Sequence, residues 1–310
     1  MSGTHAQRDE LGEFLKARRA ALTPGTVGLP APGTPRRVPG LRREEVARLA
    51  AISTDYYTRV EQGRLQASAP VLEALARALR LDEDQRAYLH ALAGKGPAPP
   101  RRRTAQRVRP QSRRLLDQLT EAPALLLGRH MDILAWNSLA AALITDFAAL
   151  PESRRNYVRL AFVDPSVRGL FTDWESTARA CVAFLRMDAT QYPDDARLAA
   201  LVGELSVRDP DFRVWWAAHD VASKTSGTKS MRHPVVGEIV LDWEVLSCAT
   251  DPEQQLMVMT AEPGSTAHEA LRILASWSAT DDSAPRDLSA PRDLSAPQDL
   301  SAPRDDSASG

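Results

Sequence analysis

Cysteine is scarce in this chain of 310 residues: Cys181 and Cys248 are the only two, and both lie in apolar surroundings. A disulfide framework is therefore not indicated, and a reducing cytoplasm is the expected setting. No apolar run approaches the roughly 20 residues needed to span a bilayer. The polar start MSGTHAQRDE is unlike a signal peptide, so no membrane partner is expected. Enzyme signatures are missing as well. His130, His219, His233 and His268 are dispersed, with no His-x-Glu-x-x-His and no paired cysteines. Neither a Gly-x-Ser-x-Gly elbow nor a Gly-rich phosphate loop occurs. A catalyst is not expected, and no metal or other cofactor is implied.

What the chain does have is a division of charge. Its net charge of −1 conceals 22 Lys and Arg against 11 Asp and Glu in residues 1–114, and 17 against 29 in the remainder. A basic half suits phosphate and an acidic half suits some other task. Two domains are expected at this length, each able to bury its own core.

The stretch Leu41–Gly63 organises the basic half. Leu41, Val46, Leu49 and Ala50 recur at helical spacing and leave Arg42, Arg43, Glu44, Glu45 and Arg48 outside. A short break follows at Ala51-Ile52, and Ser53 is a good N-cap for a second helix that buries Tyr57 and Val60 and ends at Gly63. Two short helices joined by a tight turn make a helix-turn-helix, whose second helix lies in the major groove of double-stranded DNA. The run Leu-x-x-Glu-Glu-Val-Ala-x-Leu-Ala, then Ile52-Ser53, then Arg59-Val60-Glu61-Gln62-Gly63, resembles the lambda-repressor/Cro-like helix-turn-helix of xenobiotic-response-element (XRE) regulators.

With Ser53 opening the recognition helix, Thr54, Asp55 and Thr58 should face base edges, with Tyr56 at the side. Asp55 is the odd member: it either accepts from a cytosine amino group or caps its own helix. Arg42 and Arg43 are expected to clamp the phosphate backbone, with Arg59 and Arg64 as further contacts. Glu61 is read as a structural ion pair or cap, close to Arg64. So short a set of base contacts makes a homodimer on two half-sites the expected arrangement.

Around this pair, DELGEFLKARRAAL (residues 9–22) is an amphipathic helix. Residues 23–40 hold five prolines among glycines and must loop, and Arg36 and Arg37 there could reach phosphate or serve only solubility. Ser68 and Asp82 open two more helices, giving five in an all-α domain over residues 9–94. Residues 95–111 read as a Pro/Arg linker, either attracted to DNA or simply solvated.

The domain expected over residues 112–278 is α+β. A short helix over 113–120 precedes strands at Leu125–Leu127 and Ile133–Trp136 around a turn at Arg129–Asp132, with a helix opening at Asn137 or Ser138. Helices are predicted at about 153–161, 173–190, 194–206 and 210–219. Gly227 is expected as a turn, then strands at Val235–Val236, Glu238–Leu246 (Ile239, Leu241, Trp243 and Val245 alternating) and Leu256–Thr260, and a closing helix Thr266–Trp277. Residues 279–310, which repeat SAPRDL from Ser283 on, are a disordered tail by composition.

EAPALLLGRHMDILAWN, Trp215-Trp216-x-x-His219, Thr225-Ser226-Gly227-x-Lys229, His233-Pro-Val-Val-Gly237 and TAEPGS, behind such a DNA-binding unit, resemble the MmyB-like regulators of actinobacteria. The resemblance runs from about Leu11 to Trp277. It implies a cytoplasmic, nucleoid-associated transcriptional regulator whose PAS-like domain binds a small molecule, for which a fatty-acid-like ligand has been suggested. Trp136 and Asn137, at the strand–helix junction, and Arg213, Trp216 and His219 are the candidate ligand contacts. Arg213, Trp216 and Asp220 would share one helical face, where Arg213 or His219 either meets a carboxylate or pairs with a local acid. Large aromatics line small-molecule pockets, but they form cores more often. The alternative for this domain is a dimerisation or protein-interaction module without a ligand.

Overall fold

The computed structural model describes residues 3–30, 40–94, 106–192, 195–222 and 225–282. Arg36, Arg37, Arg101–Arg103 and the SAPRDL repeats fall outside the described residues. A helical unit comes first: α1 Gly3–Ala21, α2 Arg43–Leu49, α3 Thr54–Glu61, α4 Ala69–Ala78 and α5 Glu83–Leu92. Leu11, Phe14 and Leu15 of α1 meet Val46 and Ala47 of α2, Tyr57 and Val60 of α3, Leu72 and Leu75 of α4, and Tyr88 and Leu89 of α5 in one core. These are the residues that helical periodicity turns inward. Asp82 and Gln85 form a capping box at the start of α5. Ser68 precedes α4 in extended conformation, but its side chain makes no capping bond.

A glycine sets the distance between α1 and α3. A Cβ at Gly12 would stand 2.3 Å from the Glu61 carbonyl oxygen, which is backbone and cannot turn aside. Gly12→Ala is therefore expected to push the helices apart and cost about 1–3 kcal/mol, read as a fall in melting temperature. A substitution that left melting unchanged would mean that α1 does not seat here.

The second unit opens with α6 Pro110–Gln118, β1 Ala124–Leu127, β2 Ile133–Trp136 and α7 Ser138–Leu143. Helices α8 Tyr157–Val163, α9 Pro165–Leu170, α10 Trp174–Ala189, α11 Ala196–Arg208 and α12 Pro210–Ala217 follow, then β3 Ser226–His233, β4 Gly237–Ser247, β5 Gln255–Thr260 and α13 Thr266–Asp282. The five strands form one antiparallel sheet in the order β2-β1-β5-β4-β3, the α+β, PAS-like arrangement expected. One sheet face carries Leu125, Leu127, Ile133, Met231, Ile239, Leu241, Met257 and Met259 into the main core under the helices. The other face is covered by Leu116 of α6 over Leu126, Ala135 and Leu256. Beyond that cover Val240, Asp242 and Glu244 of β4 are exposed, so Ile239, Leu241 and Trp243 alternate inward as predicted.

Several expectations are corrected. Gly227 lies inside β3, opposite Trp243, and not in a turn. Val235–Val236 form the turn between β3 and β4, where Pro234 and Gly237, the latter at φ +74°, suit a reversal and not a strand. The helix expected at 153–161 is a 3-10 turn at Glu152–Arg154 and then α8, capped by Asn156. The unforeseen α9 exists because the Asp164 carboxylate accepts from the Ser166 and Val167 amides. The last helix runs past Trp277 to Asp282.

Candidate nucleic-acid interface and small-molecule site

The turn between α2 and α3 is made by Ala51 at φ +55°, and Ser53 Oγ accepts from the Tyr56 amide at 3.1 Å. Thr54, Asp55 and Arg59 are exposed on the outer side of α3, while Tyr57 and Val60 are buried beneath it. Thr58 spends its hydroxyl proton on the Thr54 carbonyl at 2.7 Å and keeps lone pairs and a methyl. Tyr56 packs against the core and is half-buried. Asp55 does not cap the helix: it pairs with Arg59 at 2.9 Å, one turn on. Arg42 lies 3.4 Å from Glu44. Arg64 is exposed and has no ion pair among the described residues.

Glu61 is the anchor of this arrangement, and its partners are not Arg64. Its side chain is 1% exposed. Arg19 of α1 forks onto it, Nε to Oε2 at 3.0 Å and Nη2 to Oε1 at 2.9 Å, and Arg43 of α2 adds Nε to Oε1 at 3.0 Å. Arg19 also donates to the Leu41 carbonyl at 2.8 Å. One buried carboxylate thus ties the recognition helix to both neighbours. Burial works to raise the Glu61 carboxyl, but the hydrogen bonds and charges of Arg19, and then Arg43, overcome it and hold it below the usual range. Arg43, expected as a free clamp, shares its guanidinium with this carboxylate.

The candidate ligand residues do not form one group. Asn137 Oδ1 accepts from the Ala124 and Ala140 amides, and Nδ2 donates to the Leu119 and Ala122 carbonyls. It joins α6, β1 and α7 and has no hydrogen bond left for a ligand. Trp136 lies between Phe147, at 5.2 Å, and the Arg155 guanidinium, at 5.3 Å. Arg213 is exposed, donates to the Ser206 carbonyl at 3.4 Å, and takes no part in the buried cluster around Trp216. Helix α12 stops at Ala217, so His219, at φ +53°, and Asp220 lie beyond it and share no helical face with Arg213. The acid nearest His219 is Glu10 of α1, 3.3 Å from Nδ1, but burial and Arg186 hold the ring neutral, so the ion pair expected there does not form.

Comparison with known families reads the two units separately. Residues 10–89 match the model of a helix-turn-helix domain. Residues 108–274, more than half of the chain, match the ligand binding domain of MmyB-like transcription regulators. The chain belongs to the MmyB-like transcription regulators. It is a DNA-binding regulator of transcription. A search of curated proteins finds no match to it. No helix among the described residues is long and apolar enough to cross a membrane.

In this MmyB-like regulator two clusters escape sequence reasoning. The first joins the domains. Arg186 of α10, its side chain 3% exposed, pairs with Glu10 of α1 and bonds the Trp216 carbonyl. It also reaches Tyr88 Oη at 3.3 Å and His219 Nδ1 at 3.1 Å, with its guanidinium 4.0 Å over the Trp216 ring. Arg18 of α1 donates to the Ala218 carbonyl and to Asp220, both at 2.7 Å. Val221 is buried in the core of the helical domain. Beside this junction a cavity of about 220 Å³ is lined by Gln7, Glu10, Tyr88, Leu92, Leu198 and Trp216 among others. Burial, and then Arg186, lower the His219 pKa to about 4, consistent with a neutral ring whose Nδ1 accepts from Arg186.

The second cluster surrounds Lys229 of β3. Its Nζ donates to Tyr157 Oη at 2.9 Å and stands 5.0 Å from the Tyr157 ring, 5.2 Å from Trp243 and 5.7 Å from Phe171. The only clue in the sequence is its place in the Thr225–Lys229 segment.

Proposed function

We propose that this regulator binds a specific DNA site as a homodimer in the cytoplasm, on the nucleoid. Thr54, Asp55 and Thr58 read base edges, Tyr56 flanks them, and Ser53 sets the start of the helix. Arg42, Arg43, Arg59 and Arg64 meet phosphates. Its second domain senses a small metabolite, fatty-acid-like or otherwise acidic or apolar, and no catalysis is involved. Of the candidate ligand contacts, Trp216 is the one that lines the cavity between the domains.

The observation that supports ligand control is the junction. Ala218, His219 and Asp220 of the ligand binding domain meet α1, Val221 enters the core of the helical domain, and α1 is tied through Glu61 to the recognition helix. A change in the second domain thus has a packed route to α3, which is what coupling between two sites requires. Footprinting across a genome, with and without metabolite extracts, tests the reading. Protected sites whose occupancy shifts with an extract support it, and occupancy indifferent to every extract counts against sensing.

Ion pairing within α3 predicts one further result. Asp55→Asn removes a carboxylate and frees Arg59, so affinity for non-specific DNA should rise and its salt dependence steepen by about one counterion, as titrations at several salt concentrations would show. Unchanged slopes would place Arg59 away from phosphate.

A second reading of this domain, a dimerisation module, draws support from Ile273 and Trp277. They lie one turn apart on α13 and are 48% and 58% exposed.

A further inference from the structure

The cavity at the domain junction takes its walls from both domains. Glu10 of α1 and Tyr88 and Leu92 of α5 line it from one side, and Asp195, Leu198 and Trp216 line it from the other. Clefts between domains are a preferred place for small molecules. Its 220 Å³ exceeds the roughly 150 Å³ that takes benzene, so one ring with a short chain fits.

The chemistry of the lining is one-sided. Most of it is apolar, its charged members are the carboxylates Glu10 and Asp195, and no cation is among the lining residues. Each carboxylate keeps an oxygen that accepts no hydrogen bond among the described residues. Glu10 Oε1 accepts from Tyr88 and Arg186, which leaves Oε2. Asp195 Oδ1 accepts from the Arg197 and Leu198 amides at the start of α11, while Oδ2 has the Arg129 guanidinium at 3.8 Å, beyond hydrogen-bond reach. The hydroxyl protons are spent, Tyr88 on Glu10 and Thr190 on the Met187 carbonyl at 2.7 Å. Apart from the Gln7 amide and the Trp216 indole, the side chains therefore offer a ligand acceptors only. A matching ligand brings protons and positive charge on an apolar body, whereas an anion meets two like charges.

We propose that this cleft is a binding site for a small apolar amine, whose ammonium pairs with Glu10 and Asp195 and whose body lies against Leu92, Leu198 and Trp216. The site goes beyond the metabolite sensing proposed above and does not rest on it. Both walls are together only while the domains are docked, so the amine binds the docked arrangement and stabilises it as its concentration rises.

The test compares phenethylamine, phenylethanol and phenylacetate, which share a ring and differ in the head group, by calorimetry on the full chain. Wild type should bind the amine about tenfold or more tightly than the alcohol, as a hydrogen bond to a charged group allows, and should bind the acid least. The amine should also raise its melting temperature. Ala199→Trp blocks the cleft from an exposed position on α11, so it should melt no lower than wild type and bind none of the three. Asp195→Asn keeps a capping side chain and should shrink the preference for the amine while leaving the alcohol's affinity unchanged. Arg186→Met removes ties between the domains and should weaken amine binding, although Arg186 does not line the cleft. A pocket belonging to one domain alone would bind the amine at least as tightly in that variant, since a neighbouring cation is gone.

Equal binding of amine and alcohol by wild type, tighter binding of the acid, or no binding of the amine would overturn the site. So would amine binding that survives Ala199→Trp, or a preference untouched by Asp195→Asn. Selective amine binding with DNA affinity indifferent to every metabolite extract would uphold the site and count against sensing. DNA affinity that follows an extract while the amine does not bind would do the reverse.

Discussion

Glu61→Gln should lower the stability of the DNA-binding domain by about 3 kcal/mol, since removing one member of a buried ion pair leaves the other charged and unmatched. For a domain of this size that is a fall in melting temperature of roughly 10–20 °C. The unmatched charge is Arg19, whose side chain is 14% exposed; Arg43, at 44%, can turn to water and contributes little. Gln keeps the shape and one acceptor, so the loss reports the charge and not a cavity. Specific DNA binding should fall with it, because the carboxylate is what ties α3 to α1 and α2. The double substitution Glu61→Leu with Arg19→Met should recover much of the stability. The folded carboxyl lies below its ordinary value of 4.5, so its contribution is present above that pH and is lost as acid titrates through the lower folded value. The gap between wild type and Glu61→Gln should accordingly close in acid. A variant melting within a degree or two of wild type would show that the cluster does not hold the helix.

The same cluster shows what one sequence can and cannot convey. Ser53, Tyr57, Val60 and Gly63 were readable because caps and periodicity are local: each residue is interpreted by neighbours within a turn or two. That Glu61 is structural was readable too, since it falls on the inner side of α3. Its partners were not, because Arg19 lies 42 residues away and nothing in a single sequence marks it. Arg64 is nearer in sequence and is not a partner of Glu61 among the described residues. Gly227 failed for a related reason. A glycine reads as a turn, whereas here it makes room for the indole of a facing strand, which is known only once register is known. The charge division also needs refinement. Residues 41–64 carry five arginines against four acids, while Lys95–Arg114 hold eight cations and no acid. Most of the basic excess therefore lies outside the helix-turn-helix, and non-specific attraction to DNA should owe more to that stretch than to α3.

Arg186→Met should uncouple the domains while leaving each folded. Methionine keeps the length and apolar stem of the side chain. It deletes the pairing with Glu10, the bonds to Tyr88 and His219, the bond to the Trp216 carbonyl and the contact with its ring. Glu10 is 38% exposed and can turn to water, so no buried charge is stranded in the helical domain. With hydrogen bonds to charged groups each worth about 1.5–3 kcal/mol, the docked arrangement should weaken by about 3 kcal/mol, or more than a hundredfold. Calorimetry should then resolve two transitions where wild type shows one, and DNA affinity should stop responding to ligand. Acid offers an independent check. The folded pKa of His219 is depressed to about 4, so its contribution to docking is complete above the unfolded value of 6.5 and is lost as pH falls towards 4. In that window the ring gains a proton on the atom that accepts from Arg186 and is repelled by Arg186 and Arg18, with Glu10 and Glu13 offsetting only part. Wild type should therefore undock on acidification, and Arg186→Met, already undocked, should show a smaller change over the same range. A single transition at the wild-type temperature in Arg186→Met would mean that the apolar seat of Val221 holds the domains by itself, and that ligand control must reach α1 by packing and not by charge.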